Sequence, residues 1–200
     1  MHSSQDIQNH YDASDLHEAV RVLKAGGVIL YPTDTVWGIG CDATNAEAVQ
    51  RIFAIKHRSD SKSMLLLLDA AGKLQGYVER VPDTAWALLE VSEGQRPLTI
   101  IYPKAKNVAE NLLASDGSVG IRITDEPFSQ ALCRQLRAPI VSTSANISGE
   151  PTPHVFREIS PEIRSSVDYI CQYRRDDEQP HQPSSIIKID EQEHITIIRE

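Results

Sequence analysis

Residues 28–40 read VILYPTDTVWGIG, which is the most informative stretch of this 200-residue chain. Residues 28–31 form a short, continuously apolar run, the pattern of a strand that is buried on both faces. Pro32 ends this strand because proline has no backbone N–H for the ladder. Residues 33–35 (Thr-Asp-Thr) then place two hydroxyls and a carboxylate directly after the strand, where ligands bind in open α/β sheets. An ordinary Pro-Thr-Asp turn, whose side chains bind their own backbone, explains this triplet equally well.

Helical and strand-like segments interleave along the rest of the chain. Apolar residues at helical spacing predict helices over residues 15–25, 84–91 and 128–136, and a capping box that begins at Thr44 predicts one ending near residue 56. Short apolar or β-branched runs predict strands at residues 64–68, 98–102, 119–123, 140–141, 169–173, 185–189 and 195–199. This irregular order favours one α/β domain over residues 1–200, a twisted mixed sheet with flanking helices. We expect residues 1–13 to be flexible and the polar residues 174–185 to form a mobile loop.

The composition argues against several classes of protein. The 20 Lys+Arg residues face 28 Asp+Glu residues, and the formal net charge of -8 makes attachment to nucleic acid or anionic lipid by bulk charge unfavourable. The longest apolar run, residues 64–68, is far shorter than the roughly 20 residues that span a bilayer, and the polar N-terminus lacks a signal-peptide pattern. Cys41, Cys133 and Cys171 are odd in number and widely spaced, which indicates neither a disulfide framework nor a zinc site. We therefore expect a cytoplasmic globular protein with no membrane association.

Most of the common catalytic motifs are absent from the sequence. There is no P-loop, no H-E-x-x-H zinc motif and no G-x-S-x-G nucleophile elbow. Residues 38–43 fit the dinucleotide fingerprint G-x-G-x-x-A, but residues 33–37 separate them from the end of the preceding strand. We interpret these glycines as residues that permit a bend in a loop.

Two polar clusters and one buried charge are candidates for a site. Lys56, Arg58 and Lys62 gather where the second helix ends, and Lys56 and Arg58 are expected to reach solvent there. Such cations either clamp phosphates or complement the helix dipole, and the residues alone favour the second explanation. Residues 142–149 (STSANISG) place four hydroxyls and an amide after a buried strand, which suits ligand binding or a serine-rich turn. Arg122 is a charge inside an apolar strand, where an arginine often lies at a strand edge or pairs with an acid.

Taken together and in this order, the motifs resemble those of the YrdC-like family of L-threonylcarbamoyladenylate synthases. The resemblance extends over VILYPTDTVWGIG, KHR, PLTI, GIRI, STSANISG and the final IIR. It implies a twisted α/β sheet that encloses a deep, positively lined cavity. It also implies that L-threonine, bicarbonate and ATP, accompanied by Mg²⁺, give threonylcarbamoyl-AMP and pyrophosphate. The product would be passed to a downstream tRNA threonylcarbamoyl transferase complex that modifies adenosine 37 of tRNA.

The same resemblance implies roles for individual residues. Lys56 and Arg58 are implied to be catalytic and to bind the ATP phosphates. The other implied phosphate-binding residues are Lys62, Ser142, Ser144, Asn146 and Arg199, and those near threonine and the adenylate are Thr33, Thr35, Thr99 and Arg122. No protein metal site is implied, because the ATP phosphates would hold the Mg²⁺. The chain departs from the family pattern at Trp37, Ser59, Ser63, Thr124 and Glu200.

The same sequence features allow three alternatives to this function. A related branch of unclear function lacks an intact K-x-R and S-x-N, and both are present here, which favours the synthase. A non-catalytic RNA-binding module could use the same basic cavity, but aromatic residues are only 6% of the chain, which gives little support for base stacking. We therefore expect any binding of tRNA or double-stranded RNA to be weak. A carbamoyl-transfer domain of a much larger protein is the third alternative, and the length of the chain makes us expect the synthase instead.

Overall fold

One mixed sheet forms the centre of the molecule. The computed structural model describes residues 11–58, 64–92 and 94–200. Within these residues the strands are β1 (Ile29–Tyr31), β2 (Gly38–Gly40), β3 (Leu65–Leu68), β4 (Leu98–Tyr102), β5 (Val119–Ile123), β6 (Ile140–Ser144), β7 (Tyr169–Ile170), β8 (Ser185–Ile189) and β9 (Ile195–Arg199). Their order across the sheet is β7-β1-β2-β6-β3-β5-β4-β8-β9. The pairs β1–β7, β3–β5 and β4–β8 are parallel and the others antiparallel, so the predicted mixed α/β sheet is confirmed.

Five α-helices flank the sheet in the described part of the chain. They are α1 (Ala13–Lys24), α2 (Ala46–Ile55), α3 (Asp83–Ser92), α4 (Pro127–Leu136) and α5 (Pro161–Ser166). The capping box predicted at Thr44 is wrong by one residue, because the Asn45 side chain accepts the backbone N–H groups of Glu47 and Ala48 and caps α2 itself. No helix among the described residues is long and apolar enough to cross a bilayer.

The glycines of residues 38–40 lie in a strand, so their interpretation as a loop bend is wrong. β2 pairs with β1 on one side and with β6 on the other. A Cβ atom at Gly40 would lie 2.6 Å from both a ring carbon of Tyr31 and the carbonyl oxygen of Val141. Glycine is therefore required at this position because three strands pack closely there.

The predicted strand over residues 169–173 is shorter in the structure, for an identifiable reason. β7 ends at Ile170, and the backbone N–H groups of Gln172 and Tyr173 donate to the carboxylate of Asp15 in α1 instead of continuing the ladder. The phenol of Tyr169 donates to the same carboxylate, which is buried. One buried acid thus redirects the chain at the end of the strand.

The sheet has a hydrophobic core on each face. On one face, Ile29, Tyr31, Leu67 and Ile140 pack against α1 and α4, and on the other, Leu30, Ile39, Leu66 and Ile121 pack against α2. Cys41, Cys133 and Cys171 are all buried and carry free thiols, whose pKa burial raises. The two cores explain why the central strands are apolar throughout.

Helices α1 and α4 cover only part of the sheet face that carries Leu67 and Ile140. The uncovered part of this face forms the floor of a cavity. Leu67 faces Arg122 across β3 and β5, and Arg122 faces Thr99 across β5 and β4, so these side chains share a face. Alternate residues of four strands line the cavity: Thr99 and Ile101, Gly120 and Arg122, Ser142 and Ser144, and Ile186 and Lys188. The helices α1 and α4 cover Leu67 and Ile140 on this face, and the cavity begins beside them.

The two segments expected to be flexible are held at several points. Residues 1–10 lie outside the described part of the chain, whereas Tyr11 lies edge-on against Phe128, with ring centroids 5.5 Å apart. In the segment 174–185, Arg174 donates to the carbonyl oxygen of Thr33 at 3.0 Å, and Arg96 donates to that of Pro183. The mobility of both segments stays a prediction.

Candidate active site

The cavity has a volume of about 1100 Å³, enough for a nucleotide and a small partner. Seven of the residues predicted from the sequence line it, namely Thr35, Arg58, Thr99, Arg122, Ser142, Ser144 and Arg199. Thr33, Lys56 and Asn146 do not line it, and Lys62 lies outside the described residues. The structure therefore brings most of the predicted set together on one surface, from strands and loops far apart in sequence.

The two threonines of the Thr-Asp-Thr triplet have different positions. The Thr33 hydroxyl donates to the carbonyl oxygen of Val36 at 2.8 Å and accepts the backbone N–H of Thr35 at 3.0 Å. A hydroxyl has one proton, so the Thr35 hydroxyl must donate to Thr33 in the contact of 3.0 Å between them. Thr35 in turn accepts from the guanidinium of Arg122 at 3.3 Å. Thr33 thus holds Thr35, and only Thr35 contributes to the cavity wall.

Arg122 has the acidic partner that its place in an apolar strand suggests. Its Nη2 atom lies 2.8 Å from Oδ1 of Asp34, and the two side chains are 3% and 5% exposed. Burial raises the pKa of Asp34, an effect that the nearby Arg122 charge partly offsets. A buried cation with one close carboxylate therefore lies at the cavity wall.

Lys56 does not reach solvent, so this expectation from the sequence is wrong. The residue is only 2% exposed, and its ammonium donates to the carbonyl oxygens of Ser144 and Asn146 at 2.6 and 2.7 Å. Burial, with repulsion from Arg58 as a smaller cause, lowers the pKa of Lys56 to about 8. Lys56 thus ties the end of α2 to the loop that follows β6, and its implied role in phosphate binding stays a prediction.

The amide of Asn146 is also used inside this loop. Its Nδ2 atom donates to the carbonyl oxygens of Ile147 and Glu150 at 3.1 and 2.8 Å. Ser142 and Ser144 precede it on β6 and line the cavity. The STSANISG segment therefore combines two hydroxyl-bearing residues at the cavity with an amide that closes the loop behind them.

Ser184 belongs to the cavity wall but was not predicted from the sequence. Its hydroxyl lies 2.8 Å from that of Thr99, and its carbonyl oxygen accepts from Nε of Arg199 at 2.9 Å. The residue is 1% exposed. The available signal was weak: a Ser-Ser pair at the start of a predicted strand, in a segment interpreted as a mobile loop.

The charged residues of the cavity wall are mostly cations. Within the described ranges they are Arg58, Arg122, Lys188 and Arg199, together with one acid, Asp116. Lys188 pairs with Asp116, and Arg122 pairs with Asp34. Because at least two of the four cations have carboxylate partners, a net positive cavity stays a prediction. Across the described chain, no three His, Cys, Asp or Glu side chains are grouped as a metal site.

This chain belongs to the Sua5/YciO/YrdC family, whose model carries the description "Telomere recombination" and matches residues 21–200. A threonylcarbamoyl-AMP synthase of Pseudoalteromonas translucida is 36% identical over 160 residues, which are 79% of this chain and 85% of that protein. One of Vibrio cholerae is 32% identical over 173 residues, 86% of this chain and 91% of that protein.

Solved structures agree with the family. E. coli YciO matches with a TM-score of 0.81 and 27% identity, over 96% of this chain and 92% of that one. A P. abyssi Sua5 protein matches with a TM-score of 0.82 and 23% identity, over 96% of this chain, which spans 58% of the Sua5 chain. A second P. abyssi Sua5 structure, in complex with L-threonine, has a TM-score of 0.79 at 23% identity, over 90% of this chain and 52% of that one. At this level of identity the two Sua5 structures support the fold.

Proposed function

We infer that this protein is a threonylcarbamoyl-AMP synthase, which forms threonylcarbamoyl-AMP and pyrophosphate from L-threonine, bicarbonate and ATP. One observation carries the inference: seven residues that the family resemblance assigns to the site line one cavity. Relatives that are 32–36% identical over most of the chain bear the name of this activity. A Sua5 protein of the same fold is solved with L-threonine, which agrees with a threonine site in the cavity.

Two intact motifs favour the synthase over the related branch of unclear function. Lys56 and Arg58 form an intact K-x-R, and Ser144 and Asn146 an intact S-x-N. The structure links the two motifs, because Lys56 donates to the carbonyl oxygens of both Ser144 and Asn146. These hydrogen bonds hold the two intact motifs against each other beside the cavity, and this arrangement supports the synthase.

The proposed reaction needs no covalent nucleophile. The amine of threonine and bicarbonate form a carbamate with loss of water, and a carbamate oxygen attacks the α-phosphorus of ATP as pyrophosphate leaves. All the reactants carry negative charge, so catalysis consists mainly of positioning and charge neutralisation. Arg58 and Arg199 at the cavity wall would neutralise the phosphates, with Mg²⁺ entering as part of the MgATP substrate. Thr35, Thr99 and Arg122 would bind threonine and the adenylate.

The product would be used by a downstream tRNA threonylcarbamoyl transferase complex. Threonylcarbamoyl-AMP is a mixed anhydride, and its carbonyl carbon is activated for transfer to an amine. The consuming reaction must therefore be an acyl transfer, which fits modification of the adenosine 37 amino group. Direct RNA contact by this chain would be weak, since the formal net charge of -8 opposes it.

Pyrophosphate release tests the proposed function. The purified protein is incubated with MgATP, L-threonine and bicarbonate, and each component is omitted in turn. We expect release only when all are present, and slower release with serine, because the threonine methyl fills an apolar niche worth about 1–3 kcal/mol. Equal release without threonine would refute the synthase. Nanomolar RNA binding that persists at high salt, without turnover, would favour the RNA-binding module instead.

A further inference from the structure

We propose that Asp34 is a positioning residue for the synthase reaction: it holds the guanidinium of Arg122 in place to bind an anionic group of the substrate. The proposal rests on the proposed function, in which Arg122 binds threonine or the adenylate, and it assigns the threonine carboxylate to this guanidinium. Asp34 would not touch the substrate and would act only through Arg122.

The positions of Arg122 and Asp34 relative to the cavity support this assignment. Arg122 lines the cavity, whereas Asp34 does not, although the two side chains are 2.8 Å apart. The carboxylate therefore lies behind the guanidinium as seen from the cavity. An acid in this position can fix and neutralise the cation without occupying the place of a ligand.

The hydrogen bonds of Arg122 leave donors for a ligand. Its Nη2 atom faces Asp34 and donates to the hydroxyl of Thr35. Nε is buried without a partner, and no described residue accepts a hydrogen bond from Nη1. A guanidinium has five N–H donors, so this group is far from saturated. An unsaturated buried cation at a cavity wall is suited to a carboxylate or phosphate oxygen.

Stability alone does not explain the pair. Two charges that are 3% and 5% exposed lose most of their hydration, and apolar residues in their place are often as stable. Oδ1 of Asp34 is also a buried oxygen without a well-aligned hydrogen bond, so the contact with Arg122 is mainly electrostatic. Burial raises the pKa of this carboxyl, which agrees with an incompletely compensated charge.

The kinetic test is Asp34→Asn, which keeps the shape and removes the charge. We expect the KM for threonine to rise about tenfold, with kcat and the KM for ATP within about threefold of wild type. A residue that only stabilises the fold would lower the melting temperature without this selective change. Asp125→Asn is the matched control: this exposed acid lies close enough to influence the pKa of Asp34, and its removal should leave the KM for threonine unchanged.

A double-mutant cycle shows whether Asp34 acts through Arg122. In an Arg122→Lys background, Asp34→Asn should change the KM for threonine by less than about twofold. The proposal would be overturned if the two substitutions had fully additive effects on the KM for threonine, or if Asp34→Asn left this KM unchanged. A lower KM in Asp34→Asn would also overturn it, because Asp34 would then compete with the substrate for Arg122. If Asp34→Asn does not fold, Asp34→Glu, which displaces the charge by one methylene, serves in the same cycle.

A second readout does not depend on activity. The Nε–H resonance of Arg122, assigned by its loss in Arg122→Lys, should be sharp in the wild type and broadened or shifted in Asp34→Asn. An unchanged resonance would overturn the proposal. If the wild-type protein releases no pyrophosphate with threonine, the proposed function fails, while this measurement still decides whether Asp34 holds the guanidinium.

Discussion

The ammonium nitrogen of Lys56 lies 2.6 Å from the carbonyl oxygen of Ser144, and a second carbonyl oxygen, that of Asn146, is 2.7 Å away. A lysine at the end of a helix thereby fixes the end of β6, whose serines line the cavity, and the loop that follows it. An ammonium has three N–H donors, so one remains after these two bonds. Lys56 can therefore shape the cavity wall through the backbone, while its buried charge acts on the cavity from behind that wall.

Replacing Lys56 with alanine should destabilise the protein, because the side chain is buried and bonded instead of reaching solvent. Two carbonyl oxygens in a partly buried part of the chain would lose their donor, and we expect a loss of about 2–3 kcal/mol in the free energy of unfolding. Denaturant unfolding measures this loss. Lys73→Ala is the control, because this half-exposed lysine contacts the carboxylate of Asp69, which Arg134 also approaches at 3.8 Å, and its loss should cost less than about 1 kcal/mol. Equal stability of the two variants would contradict the anchoring role of Lys56.

The sequence predicts regular elements better than it predicts the use of individual polar groups. The strands at residues 98–102, 119–123 and 185–189 have the predicted bounds, because their apolar patterns report burial. The strand at 195–199 also has the predicted bounds although it is exposed throughout, because its β-branched residues favour extended backbone. The position of Lys56 could not be predicted, since its partners are carbonyl oxygens about 90 residues further along the chain. Every residue has a backbone carbonyl, so the sequence does not show which carbonyl oxygens accept from Lys56, and only the fold brings them within reach.

Arg58 provides the cleaner test of a phosphate clamp. It is half-buried and lines the cavity, whereas Lys56 also holds a loop. We expect Arg58→Ala to lower kcat by about 10² to 10³ with a small change in melting temperature, because charge neutralisation is strongest in the transition state. Arg58→Lys should stay impaired, since an ammonium cannot replace the planar guanidinium. Pyrophosphate release by either variant at the wild-type rate would exclude the clamp.

The pH dependence of ATP binding should reflect Lys56, whose pKa burial lowers to about 8. Below this pH the side chain is charged and can attract the phosphates, and above it the charge is lost while two amine N–H groups still reach the carbonyls. We therefore expect the KM for ATP to be constant at low pH and to rise through pH 8.

Titration of Lys56 does not itself favour unfolding in this pH range, whereas the buried thiols of Cys41, Cys133 and Cys171, whose pKa burial raises, make the fold less stable as pH increases above the ordinary thiol pKa. The unfolded chain keeps the Lys56 proton up to the ordinary lysine pKa, so this group makes folding more favourable as pH increases above 8. Steady-state kinetics from neutral to alkaline pH, with melting temperatures of the same samples, measure both effects. A KM for ATP that stays constant through pH 9 would contradict a role for the Lys56 charge.

Gly120 allows the cavity to be blocked without removing a polar group. It lies on the floor between Leu65 of β3 and Ile101 of β4, and a Cβ atom there would be 3.4 Å from a methyl of Thr99, an ordinary contact. Gly120→Ala should therefore fold and keep activity within about threefold of wild type, because a side chain stabilises a strand relative to glycine. Gly120→Leu should also fold but fill part of the cavity, which would raise the KM for ATP or threonine at least tenfold. Pyrophosphate release and melting temperature measured on both variants separate a steric block from misfolding. Wild-type kinetics in a folded Gly120→Leu protein would place the reaction elsewhere on the molecule.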